Sequence, residues 1–144
     1  MRLLAWCALI CVGALALAAC GGEKKEKESE LSEKSAAACT GSALTEAPKL
    51  PAGFPQIENV TYTQQSTQGP TNVVEGYFEG SLDDAHDEFK KELQNSGFDV
   101  LFDELEEDDS EVSWKGEGRS GQVALREECG SDDKIFVHIT NRPA

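Results

Sequence analysis

Apolar and polar positions divide the chain into three regimes. Residues 3–19 are almost all apolar, residues 20–38 are almost all polar or small, and from Cys39 onward short patterned runs alternate with turn chemistry. The third regime carries the fold. Gly41, Pro48, Pro51, Gly53 and Pro55 mark its opening as loop. Residues 58–64 (ENVTYTQ) then alternate, with Val60 and Tyr62 on one side. Gly69-Pro70 makes a turn, and residues 72–79 (NVVEGYFE) read as the second arm of a hairpin. A helix follows. Leu82, Ala85, His86, Phe89 and Leu93 recur at spacings of three and four, which gathers them into one stripe. Ser81 and Asp84 have the spacing of a capping box, and Asp83 and Asp84 put negative charge at the positive end of the helix dipole. Gly97 suits the left-handed position that ends a helix, so the pattern predicts one over 82–96.

The remainder reads as strands. Phe98, Val100 and Phe102 alternate with acids, Val112 with Trp114 and Val123 with Leu125 form inward pairs, and Ile135, Val137 and Ile139 close the chain. Acidic or Gly/Ser turns (LEEDDS, GEGRSG, CGSDD) separate them. The expected order is β-β-α-β-β-β-β. It is an α+β fold with one helix packed on a mostly antiparallel sheet, over residues 39–144. Such sheets commonly leave the other face to solvent. Tyr77 and Phe136, with Val73 and Leu101, point to that face. They form either a contact surface for a partner or a patch covered by the segment from Cys39 to Pro55.

Composition narrows what such a domain does. The 144 residues include 13 Lys and Arg against 27 Asp and Glu, a net charge of −14. This length holds one small domain and a tail, and once the apolar first regime is set aside only a modest core remains. The acidity excludes nucleic acid as a partner and excludes docking on anionic lipid through a basic patch.

The first regime is an address. Arg2, the apolar run from Leu3 to Leu17 and the small residues after it have the layout of a secretory signal. As a membrane span the run sits at the bottom of the roughly 17–25 residues required. Its end, Leu17-Ala18-Ala19-Cys20, resembles the lipobox of bacterial lipoproteins. That resemblance implies a signal peptide over 1–19, cleaved by a dedicated signal peptidase. It also implies a diacylglycerol on the Cys20 thiol and often acylation of the new amine. Two or three acyl chains hold a protein stably, at about 0.8 kcal/mol per buried CH₂. The resemblance places the protein on the cell membrane or outer membrane, with its domain facing the periplasm or the exterior. Gly21, rather than Asp, after the cysteine accords with outer-membrane sorting in hosts that have one.

Residues 20–38 read as a charged tether. Glu and Lys alternate with small residues, and Leu31 is the single large apolar side chain. Helical pairs such as Glu23 with Lys27 and Glu30 with Lys34 are present, but the stretch has no core face and is expected to hold the domain off the membrane. Of five cysteines, Cys7 and Cys11 fall in the signal and Cys20 is the lipid site. Cys39 and Cys129 are left as an even pair in an oxidising compartment. A bond between them is the expectation, nominally worth about 4–5 kcal/mol in the loop-entropy account. The alternatives are two free thiols or a metal pair, for which the chain offers no further Cys and only two His.

Candidate chemistry is sparse. Residues 116–121 (GEGRSG) match G-x-G-x-x-G, but strand patterns stand on both sides, where a dinucleotide loop needs a helix after it. They read as a hairpin turn. There is no G-x-S-x-G, and His86 and His138 are expected on opposite faces as packing or surface residues, so no catalytic residue and no cofactor is assigned. The acidic run Asp103–Glu111 lacks the D-x-D-x-D-G frame of a calcium loop and reads as a solvated hairpin. Ca²⁺ binding there is the alternative function, and no metal ligand is assigned. The stretch GSLDDAHDEFKKELQNSGFDV resembles a segment of small lipid-anchored bacterial domains, which implies the fold and no chemistry. The sequence thus points to a membrane-anchored envelope lipoprotein with a non-enzymatic binding or accessory domain. Its expected partner is another envelope protein, met through Tyr77 and Phe136.

Overall fold

Six strands, antiparallel at every pairing, form one sheet in a computed structural model that describes residues 33–144. The proposed signal, Cys20 and the tether up to residue 32 lie outside the described residues. A helix, α1, covers residues 33–40. After it come β1 (Val60–Gln68), β2 (Thr71–Glu79), α2 (Leu82–Asn95), β3 (Asp99–Leu105), β4 (Asp109–Gly116), β5 (Arg119–Arg126) and β6 (Lys134–Pro143). In space the order is β1-β2-β6-β5-β4-β3. The β1–β2 hairpin hands the chain to α2, which carries it across to the far edge. The meander β3-β4-β5-β6 then returns until β6 pairs with β2.

Local signals explain the elements. Ser81 is extended (φ −81°, ψ 164°) and its Oγ accepts from the Asp84 N–H, capping α2. The Asp84 carboxylate accepts from the Ser81 hydroxyl at 2.7 Å, a local variant of the expected box. Gly97 takes φ +83°, and Phe98 N–H closes the helix end on Leu93 O at 3.0 Å. Leu82, Ala85, His86, Phe89 and Leu93, the expected stripe, are all buried. Each large apolar member stabilises the fold by about 1.5–3 kcal/mol relative to exposure. Glu117 and Gly118 both have positive φ (50° and 69°) between the paired residues Gly116 and Arg119. The glycine-rich run is therefore a two-residue hairpin turn.

Side-chain alternation builds the core. Val74, Ile139, Val123 and Val112 pair across four neighbouring strands and are fully buried beneath α2 and its surroundings. The helix lies over β3, β4 and β5. The other half of that face is covered by the strap of residues 41–59. Its Phe54 meets Phe98 and Trp114 edge-on, with ring centres 5.8 and 5.4 Å away. Gly121 is required here, because a Cβ would collide with the Thr140 carbonyl and press on the Trp114 ring.

Three expectations change. The tether was expected to lack a core face through residue 38, yet residues 33–38 are helical and bury Ser35 and Ala38. Their small side chains allow α1 to approach the sheet, where Ala38, Cys39 and Cys129 cluster on Phe136. That cluster overturns the second expectation: Phe136 is 1% exposed and is no part of an open contact surface. Tyr77 is half-buried, with Lys134 Nζ 4.0 Å from its ring centre, so it does not stand free either. Third, a shift in register between Val100 and Phe102 swings Phe102 to the outer face, opposite Ser113, and Asp103 to the helix face, opposite Val112. The Cys39–Cys129 disulfide is present, with Cα atoms 5.4 Å apart, and it ties α1 to the β5–β6 loop.

Candidate functional site

Beneath α2 the fold assembles a trio that sequence reasoning missed. His86 Nδ1 and Ser110 Oγ share a hydrogen bond of 2.7 Å, and His86 Nε2 stands 3.5 Å from Asp103 Oδ2. Lys90 Nζ donates to the same Asp103 oxygen at 2.5 Å. Lys90's hydrogen bond holds the Asp103 carboxyl below the ordinary carboxylate range; desolvation is the next largest effect and opposes it, while the charge of Lys90 and the neighbouring His86 add to the lowering. Serine, histidine and aspartate recur in nucleophilic sites, but a nucleophile must be reachable by its substrate. Ser110 is 1% exposed and sits between helix and sheet. The trio brackets α2 to β3 and β4. The one sequence signal for it was His86 inside an otherwise apolar stripe.

His138 lies on the outer face, as expected, with Nδ1 2.9 Å from Glu75 Oε1. The two histidines are on opposite sides of the sheet. In the acidic run, Glu106 N–H donates to Asp109 O at 2.9 Å and closes the β3–β4 turn. Among the described residues no three His, Cys, Asp or Glu side chains gather as a metal ion requires. Two buried polar atoms, Tyr62 Oη and Trp114 Nε1, have no hydrogen-bond partner among the described residues. Burial pushes the Tyr62 phenol well above its ordinary range.

What remains open to a partner is set by which parts of the sheet are covered. On the outer face α1 and the disulfide shelter the region around Phe136 of β6, and the strap and α1 together secure the β1 edge. Leu44 N–H donates to Tyr62 O at 2.8 Å, Thr63 Oγ1 donates to Ala38 O at 2.8 Å, and Lys49 N–H donates to Gln65 Oε1 at 2.9 Å. The other half is bare. A depression of about 480 Å³ runs over the outer face from Thr71 to Leu101, with Ser113, Ser120, Gln122, Thr140 and Arg142 along it. Gln122 Nε2 donates to Glu111 Oε2 at 2.8 Å, which fixes both side chains beside it. At its end is β3. The exposed large apolar residues of the described chain all lie there: Leu101 at 63%, Phe102 at 50% and Leu105 at 41%. The sequence carried a signal for this. Val100, Leu101 and Phe102 are consecutive, and a strand cannot turn three neighbours into one core.

The chain matches no protein-family model and no curated protein. Among the described residues no helix is long and apolar enough to cross a membrane.

Proposed function

We propose that this chain is a lipid-anchored binding domain of the cell envelope. The lipid sits on Cys20, the charged tether gives reach, and the domain holds a partner against the uncovered half of its sheet. Carrying this reading is the concentration of exposed large apolar side chains on β3, next to a polar depression, while the opposite half is capped by α1, the strap and a disulfide. A small domain that uses α1, α2 and a loop to cover the rest of its sheet leaves this surface for contact. The chemistry of the depression is hydroxyl, amide and one guanidinium, which suits polar recognition in place of bond-breaking. The buried position of Ser110 supports a binding role over a hydrolytic one.

Two measurements test the reading. Cys20→Ser should leave the membrane fraction or accumulate uncleaved, and normal processing and anchoring of that variant would refute the anchor. For the binding role, a photocrosslinking residue at Arg142 or Phe102 in the intact cell should give discrete adducts that one at Lys91 on α2 does not. Adducts at none of these positions would refute it.

A further inference from the structure

We infer that the free edge of β3 accepts an extended, cationic segment of a partner protein as a seventh strand; this rests on the reading of the domain as a binding module. The two edges of the sheet differ in kind. The β1 edge is engaged by the strap, through Leu44 to Tyr62 and Lys49 to Gln65, and by α1, whose Ala38 carbonyl accepts from Thr63 Oγ1. Among the described residues β3 pairs with β4 alone. A strand with one neighbour leaves half of its N–H and C=O groups directed outward, ready to pair with a second chain. Main-chain bonds would supply affinity there, and side-chain positions would supply selection.

Two features say what fits. Leu101, Phe102 and Leu105 offer apolar contact along the strand. Asp99, opposite Lys115 on β4, and Glu104, opposite Glu111, make no ion pair among the described residues, whereas Asp103 is held by Lys90. The adjoining turn adds Glu106, Glu107 and Asp108. An incoming strand in which Lys or Arg alternates with apolar residues satisfies both features at once. A second copy of this chain does not, because it brings the same acids and the same net charge of −14 to the edge. The same charges that block self-pairing therefore select the partner.

The probe is a labelled peptide of alternating lysine and valine, titrated into the full chain in neutral detergent. Two controls accompany it: the same peptide N-methylated at every second residue, and its glutamate–valine counterpart. The lysine peptide should bind and slow amide exchange on β3 while leaving β1 unchanged. N-methylation, which keeps the charge and removes the strand bonds, should weaken it by about tenfold. The exposed double variant Asp99→Lys, Glu104→Lys should also lose about tenfold, and affinity should fall as salt rises. Helix content and an intact disulfide certify that this variant is folded, and Phe102→Ser, which leaves the charges alone, should weaken binding by a smaller factor. Equal binding of the N-methylated peptide would overturn strand addition in favour of charge alone. Absence of binding, protection on β1 in place of β3, or concentration-dependent dimers through β3 would overturn it as well. Should crosslinks form at Arg142 while the peptide fails, the edge inference falls and the binding role stands.

Discussion

Asn141 fastens the strap to the sheet, and its removal is the sharpest stability test of this fold. Its side chain is 1% exposed, donates through Nδ2 to Lys49 O at 2.9 Å, and accepts through Oδ1 from Arg119 Nε at 2.6 Å. Arg119 also donates to the Asn141 carbonyl at 3.2 Å, a bond that substitution leaves in place. Asn141→Ala therefore removes one neutral and one charge-assisted hydrogen bond. With about 0.5–1.5 kcal/mol for the first and about 1.5–3 for the second, the expected loss is about 2–4.5 kcal/mol. The lower half of that range applies, since Arg119 is only partly buried and regains water. That is a large share of the roughly 5–15 kcal/mol of a typical domain. Urea unfolding with the disulfide intact measures it, and an unchanged slope would show that the denatured state is unaffected. Asn141→Asp separates the two bonds. It keeps an acceptor for Arg119 but turns an oxygen toward the Lys49 carbonyl, so the strap should loosen while the Arg119 contact persists. Hydrogen exchange at the Leu44 and Lys49 amides, bonded to Tyr62 O and Gln65 Oε1, reports the strap directly. A loss below about 0.5 kcal/mol in Asn141→Ala, where surface substitutions usually fall, would refute the fastening role.

Other expectations follow from the same geometry. Replacing both Cys39 and Cys129 by Ala opens a loop whose ends are 90 residues apart, which should cost about 4–5 kcal/mol in denaturant unfolding and raise exchange in α1 first; unchanged stability would refute it. Ser110→Ala leaves a buried imidazole nitrogen unpaired beneath α2 and should cost about 1–3 kcal/mol, read by thermal unfolding. Tyr62→Phe removes a hydroxyl that has no partner and should be neutral or stabilising, so a loss above about 1 kcal/mol would show that the hydroxyl is bonded after all. Asp103 has a depressed pKa, so its contribution is present above the unfolded value of about 3.9 and is lost as pH falls through the folded value. The small stability advantage of the native protein over Lys90→Met at neutral pH should therefore shrink on acidification below about pH 4, and a constant gap would refute the pairing.

Periodicity alone determined most of the elements. The stripe from Leu82 to Leu93, with Ser81 and Gly97 at its ends, specifies α2 because capping and spacing act within a few residues. The alternating runs specify the strands for the same reason. Cys39 and Cys129 were legible as a pair because redox compartment and an even count constrain them without any knowledge of distance. What tertiary structure alone decided is how each face is covered. Nothing local in residues 33–38 announces that Ser35 and Ala38 will be buried, since their burial depends on the disulfide drawing α1 onto Phe136. The bulge at Leu101 inverts the facing of everything after it on β3, because strand side chains alternate with a period of two and one extra residue exchanges the faces. That inversion brings Asp103 to His86 and Lys90, and it sends Phe102 outward. Strand order, which leaves β3 at an unguarded edge while the strap guards β1, comes from long-range pairing of β6 with β2. Alternation specifies that a strand has two faces, and only the packed sheet specifies which neighbours it lacks.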